Sequence, residues 1–379
     1  MIGVQSPTTA HQNQLHFVVL DPRKQKRKLI ARVLSPLGSL QWMRLPPIRL
    51  TGYSETNERS IAATAAARTQ LSTSIFANLQ RKLYALQYNG SRYFFQHNPE
   101  AIGVAWNGLN GSRRAFMDGA RDAGAKTLYF ELSPFKGRVT CDPKGVNFAN
   151  SLPRTIEPYL DWMASSDIDS QTWKKERSLI SQRMPRRSRE PAEVPGAPDG
   201  PYLFAPLQVP GDSQLRLFGG EFRTVPDFLE ALVAAADHLP KNWHLRIKEH
   251  PTAQQSFAHL ITGRSERVFL DNVSDTFDLV AKSSGVVTVN SSVGLEAMFF
   301  DKPVVACGQC FWAIPGVALA ATSVSELCQL MAKVNILSYD TTARNAFISF
   351  LMTIYYIMPD RSASRLVFNR LNSNNALQE

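Results

Sequence analysis

Short apolar runs alternate with helix-forming segments along this chain, and that alternation narrows its fold more than any other feature. Residues 101–106 are an unbroken apolar run, residues 112–123 a helix closed by Gly124, and residues 126–132 a second run, which together predict a βαβ unit. After residue 200 the pattern resumes, with strands at 202–208, 243–248, 267–270, 285–289 and 303–306 and helices at 225–236, 274–281 and 291–300. Such alternation means parallel sheets covered on both faces. A strand is also expected at 15–20, one long helix over 62–87 and one or two helices within 155–181, while the forty residues after the first strand give no clear element.

A length of 379 residues fits two domains, with no internal repeat between the halves. Residues 1–190 are expected to form the first Rossmann-like domain, 201–340 the second, and 341–379 C-terminal helices. The linker is placed at 185–200, rich in Pro, Arg, Glu and Gly and without apolar periodicity. Residues 303–325 lack charge over a span long enough to cross a bilayer, but Pro303, Gly308, Pro315 and Gly316 would break the required helix, so strand plus loop is expected. Residues 346–358 are apolar but too short to span, and read as a packed C-terminal helix or, as the alternative, an interfacial one. The start of the chain lacks a signal-peptide pattern, which together with only four cysteines predicts a cytoplasmic protein.

The net charge of +10 favours an anionic partner, and much of the excess sits in two runs, Arg23 to Lys28 and Arg183 to Arg189. Neither run contains an aromatic, which argues against nucleic acid. Solvated loops are one reading of both. For the first, contact with an anionic membrane is the other, since its basic residues flank Leu29, Ile30, Val33 and Leu34. Cys307 and Cys310 have redox or half-zinc spacing, but no second pair exists to complete a metal site, and buried thiols are expected.

Two α/β halves create a cleft at the carboxyl ends of their strands, so the polar residues there are the candidates for chemistry. Ser291 and Ser292 stand where a strand turns into a helix and could hold a phosphate, or one of them could simply cap the helix. Glu296, one turn further on, could accept from a ribose or face solvent. Lys248 and His250 end another strand, where the histidine could donate to a phosphate or protonate a leaving group. Asp212, shortly after Gln208, and Glu131 are carboxylates at strand ends in opposite halves, the residue types that glycosyl transfer uses in pairs.

In ordered blocks the chain resembles the bacterial capsule-polysaccharide biosynthesis proteins that include the β-Kdo glycosyltransferases. The blocks are Ala105-Trp106-Asn107-Gly108, Tyr129-Phe130-Glu131, Asp142-Pro143-Lys144-Gly145-Val146-Asn147, Gln208 with Asp212, His250-Pro251, and Asn290 to Ala297 followed by Lys302-Pro303-Val304. The resemblance implies a GT-B-like fold, two Rossmann-like domains facing a central cleft, and CMP-Kdo, a CMP-activated 3-deoxy-ulosonic acid, as donor to a lipid or glycan acceptor. It implies Asp212 as nucleophile of a retaining double displacement and Glu131 as acid/base or acceptor-positioning group. Donor contacts would come from Gln208, Lys248, His250, Ser291, Ser292 and Glu296, with Asn107 and Asn147 on the acceptor side or cleft wall. It implies no cofactor and no metal, and it makes an anionic inner-membrane surface and capsule assembly proteins candidate partners. The rivals are a GT-B transferase or epimerase using a UDP- or GDP-sugar and a non-catalytic capsule assembly or export partner.

Overall fold

A computed structural model describes residues 14–20, 23–67, 74–180, 198–360 and 363–372. The second basic run and nearly all of the expected linker at 185–200 lie outside the described residues. In chain order the first half contains β1 (Leu15–Leu20), α1 (Lys24–Leu34), β2 (Gly38–Met43), α2 (Thr56–Ala67), α3 (Ser74–Gln96), β3 (Ala101–Trp106), α4 (Gly111–Asp122), β4 (Thr127–Leu132), β5 (Val139–Asp142) and α5 (Glu157–Ser165). The second contains β6 (Tyr202–Pro206), α6 (Ser213–Phe218), α7 (Val225–Ala236), β7 (His244–Lys248), β8 (Val268–Leu270), α8 (Thr276–Lys282), β9 (Gly285–Thr288), α9 (Ser292–Ala297), β10 (Val304–Ala306), β11 (Leu319–Ala320) and α10 (Val324–Ala332). The chain closes with α11 (Thr341–Phe350), β12 (Tyr356–Ile357) and α12 (Ala363–Asn372).

The strands form two six-stranded sheets, ordered β12-β5-β4-β3-β1-β2 and β11-β10-β9-β6-β7-β8. The second is parallel throughout. The first is parallel from β4 to β2, with β5 and β12 antiparallel at one edge. Every residue of β3, β6, β9 and β10 is buried, which is why these strands read as apolar runs rather than alternations. The protein is thus an α/β chain of two Rossmann-like domains, the GT-B-like arrangement.

Three expectations need correction. The helix expected over 62–87 is two helices, α2 ending at Ala67 and α3 beginning at Ser74. Residues 341–379 are not helices alone, because β12 joins the first sheet beside β5 and α12 packs on α1. The apolar side of the first basic run is closed to a membrane: Ile30, Val33 and Leu34 are fully buried and share a core with Ala363, Val367 and Leu371. Arg27 stacks on Trp42 and Lys26 on Trp106, at 4.4 and 4.5 Å from the ring centroids. Among the described residues no helix is long and apolar enough to cross a membrane.

An aromatic seam joins the halves. Phe135, just after β4, packs on Phe299 beyond α9 at 4.8 Å and on Tyr356 of β12 at 5.5 Å, and Trp173 packs on Phe299 at 4.8 Å. Tyr159 of α5 meets Phe347 and Phe350 of α11 edge to face. At the other side of the molecule, Arg216 of α6 donates to the Ala66 carbonyl of α2 at 2.8 Å, and Phe148 meets Phe218 at 5.7 Å.

The loop after β5 is built around the fully buried carboxylate of Asp142. It accepts from the backbone N–H groups of Lys144, Gly145 and Ser151, from the Ser151 hydroxyl and from the Tyr355 hydroxyl, at 2.8–3.3 Å. Asp142→Ala would strand these buried donors, so we expect urea unfolding to show a loss of about 3 kcal/mol or more; a loss below about 1 kcal/mol would contradict this role.

Candidate active site in the interdomain cleft

A cavity of about 320 Å³ lies between the domains. From the first sheet it is lined by Asn107 after β3, Glu131 to Pro134 at the end of β4, and Val146 to Phe148 of the Asp142 loop. From the second it receives Asp212 to Gln214, Asn290, Ser292 and Gln309 to Trp312, with Tyr355 and Tyr356 behind. Glu131 and Asp212 therefore stand on walls from different domains.

Glu131 is held by three donors. Trp106 Nε1 and the Leu132 backbone N–H donate to Oε1 at 3.0 and 2.9 Å, and Asn107 Nδ2 donates to Oε2 at 2.9 Å. A carboxylate offers about four acceptor positions, so three are taken and one is left on Oε2. The ring of Trp106 that binds Glu131 also carries the Lys26 ammonium on its face. Burial lowers the pKa of Lys26, and the nearby Glu131 charge opposes that shift.

Asn107 reaches Glu131 from a left-handed backbone, φ 65°, followed by Gly108 at φ 74°. Asparagine is among the few side-chain-bearing residues that adopt this conformation readily, and its Oδ1 accepts from the Leu109 N–H at 3.2 Å. Asn147 is also left-handed, φ 55°, and lines the same cavity.

Asp212 is the N-cap of α6, with Oδ1 accepting from the Gln214 N–H at 2.9 Å. Behind it, Gln208 Nε2 donates to Asn290 Oδ1 at 2.9 Å, and Asn290 Nδ2 donates to the Gln214 carbonyl at 3.0 Å. This buried clasp ties the ends of β6 and β9 to the start of α6, which fixes where Asp212 stands.

The two serines separate. Ser291 caps α9, accepting from the Val293 N–H at 3.2 Å, whereas Ser292 lines the cavity and donates to Glu296 Oε2 at 3.4 Å. Glu296 is buried rather than solvent-facing. Gly294 is required here because a Cβ would sit 2.7 Å from the ring of Trp312, which is itself a cavity wall.

Gln208, Lys248, His250, Ser291 and Glu296 are not walls of this cavity. Lys248 is buried, with Nζ donating to the Asn272 and Ser274 carbonyls at 3.1 and 2.6 Å, and burial lowers its pKa. His250 is half-buried; burial lowers its pKa, and the nearby Asp212 charge opposes this. Its Nδ1 accepts from the Thr252 N–H at 3.2 Å, so the neutral ring carries its proton on Nε2. Cys307 and Cys310 are buried thiols, raised in pKa by burial, and so poor nucleophiles.

Sequence reasoning missed the aromatic walls Phe311, Trp312, Tyr355 and Tyr356, and the Trp106 donor to Glu131. A tryptophan at the end of a buried strand, directly before Asn107, was the available signal.

Residues 186–329 match the family described as capsule polysaccharide biosynthesis protein. Protein FixF of Sinorhizobium fredii is 29% identical over 277 residues, 71% of this chain and 64% of that protein. The capsule polysaccharide export protein KpsS of Escherichia coli is 29% identical over 156 residues, 38% of each chain. The alignments thus span less than two thirds of these relatives. Among solved structures, the β-Kdo 2,7 transferase of Thermosulfurimonas dismutans KpsC is similar over 94% of this chain and 99% of its own, with a TM-score of 0.52 and 15% identity, a likeness of fold. Residues 186–329 thus resemble the capsule polysaccharide biosynthesis proteins, and the chain is a homologue of FixF and KpsS over the aligned regions.

Proposed function

We propose that this protein is a glycosyltransferase of capsular or surface polysaccharide biosynthesis, transferring Kdo from CMP-Kdo to a lipid or glycan acceptor with retention. The observation that carries this reading is the placement of Glu131 and Asp212 on opposing walls of one interdomain cavity. Residues 201–340 would bind the nucleotide sugar and residues 1–190 the acceptor. The KpsC transferase fold and the KpsS homology support the reading.

In the first step the Asp212 carboxylate attacks the ketosidic carbon as its bond to the CMP phosphate breaks, giving a sugar ester on Asp212 and free CMP. The leaving phosphate gains from a nearby donor, and His250 Nε2–H is the one we assign. In the second step the acceptor hydroxyl passes its proton to Glu131 and attacks the same carbon from the other face, releasing Asp212. Two inversions restore the original configuration. Glu131 suits the basic role because its three donors fix its orientation and leave one acceptor position on Oε2 to take the proton.

The direct test of donor class is incubation of the protein with CMP-Kdo, UDP-sugars and GDP-sugars in the presence of a lipid acceptor, alongside calorimetry with the free nucleotides. We expect CMP to bind at least about tenfold more tightly than UDP or GDP and only CMP-Kdo to be consumed. A preference for UDP or GDP would establish the rival transferase or epimerase reading instead, and binding without turnover of any donor would favour a non-catalytic assembly partner.

The roles within the site can be separated because asparagine caps helices as well as aspartate does. Asp212→Asn should keep α6 capped and CMP affinity within about threefold while lowering turnover by about 10³-fold or more. His250→Ala should instead weaken CMP binding by about tenfold and slow the reaction as well. Near-normal turnover by Asp212→Asn would remove Asp212 from the nucleophile role.

A further inference from the structure

The long helix α3 buries one face and leaves another bare. Ala77, Tyr84, Tyr88 and Phe95 are buried against α2 and α4, and at about 3.6 residues per turn the opposite face carries Ile75, Phe76, Leu79 and Leu83. The loop after β2 extends this face. It lies along the C-terminal half of α3, with the Arg49 N–H donating to the Leu86 carbonyl at 3.0 Å and the Arg49 guanidinium stacked on Tyr93 at 3.7 Å. Leu45, Ile48 and Leu50 project from that loop, and these seven apolar side chains are 44–89% exposed. Single exposed apolar residues are ordinary, but a contiguous set on one helix face and its adjoining loop marks an interaction surface.

The charges within these two segments have one sign. Residues 44–53 and 74–96 contain Arg44, Arg49, Arg81, Lys82 and Arg92 and no aspartate or glutamate. Arg92 is paired with Glu55 at 2.6 Å, which leaves Arg44, Arg49, Arg81 and Lys82 to set the sign of the patch. An apolar strip with a basic border matches an anionic lipid surface, in which the apolar side chains enter the acyl boundary and the cations meet headgroups. It does not match a second copy of itself, since facing two such patches would bring like charges together.

On its buried side, the middle of α3 packs through Tyr84 against Gly111, the first residue of α4. We infer that the outer face of α3 and the loop at 44–50 dock the protein on an anionic membrane. This surface is distinct from α1, whose apolar side is in the core, and its binding is independent of whether the protein transfers a sugar.

The test is flotation of the full chain with phosphatidylcholine vesicles, with and without about one third phosphatidylglycerol. The wild type should bind the anionic vesicles about tenfold or more better than the neutral ones, less so in high salt. Replacing the exposed apolar residues together, Phe76→Ser, Leu79→Ser and Leu83→Ser, should reduce that binding about tenfold or more while circular dichroism and thermal unfolding stay unchanged. Arg44→Gln with Arg49→Gln and Lys82→Gln should abolish the preference for anionic lipid, whereas Lys24→Gln with Lys28→Gln on α1 should have little effect. Wild-type protein that ignores anionic vesicles would overturn the inference, as would loss through the α1 variant alone. An apolar variant that binds vesicles normally but changes a dimer into a monomer would overturn it too, assigning the face to self-association.

Discussion

Glu131 and Asp212 hang from different sheets, so their relation is only as well defined as the seam that joins the sheets. That seam is apolar and aromatic: Phe135, packed on Tyr356 of the first sheet, meets Phe299 beyond α9, on which Trp173 also packs, and α5 locks against α11 through Tyr159, Phe347 and Phe350. Edge-to-face aromatic contacts have preferred geometry as well as area, which makes such a seam stiffer than one of aliphatic side chains alone. Opposite the seam, the Arg216 contact to α2 and the Phe148–Phe218 pair close the other side of the cleft. The return of the chain through β12 and α12 into the first half adds a further tie, with Arg370 donating to the Cys141 and Tyr355 carbonyls.

Each carboxylate is placed by local chemistry that suits its proposed work. Glu131 is held in orientation by Trp106 at the end of β3, by Asn107 just after it and by the Leu132 backbone N–H. Asp212 uses one oxygen to cap α6 and is backed by the Gln208–Asn290 clasp. A site arranged in this way needs little movement of its own groups when charge develops on a bound sugar, which is the condition under which electrostatic stabilisation is most effective.

The central strands were legible because a parallel sheet buried on both faces writes itself as apolar runs, as in β3, β6 and β9. The edges were not. β2 alternates half-buried and exposed residues, and β11 and β12 are two residues each, with β12 hidden in an apolar stretch that reads equally well as helix. The strand-end rule located Glu131 and Asp212 in the cleft wall, but it could not separate residues that face the cavity from those turned inward. Lys248 also ends a strand, yet its ammonium is directed to two carbonyls of the neighbouring loop. Ser291 and Ser292 differ by a single position, which is enough on a helix start to make one a cap and the other a wall. The basic run at α1 looked amphipathic for the ordinary reason that a helix on a sheet is so, and its apolar side belongs to the core.

The central claim, that one carboxylate carries the sugar while the other activates the acceptor, is tested most directly by trapping. In Glu131→Gln the first step should proceed and the second should stall. Mixing this variant with CMP-Kdo and acceptor should release CMP in a burst stoichiometric with protein, and mass spectrometry should place one sugar on Asp212. Continued turnover with no adduct, or a product of inverted anomeric configuration, would contradict the account.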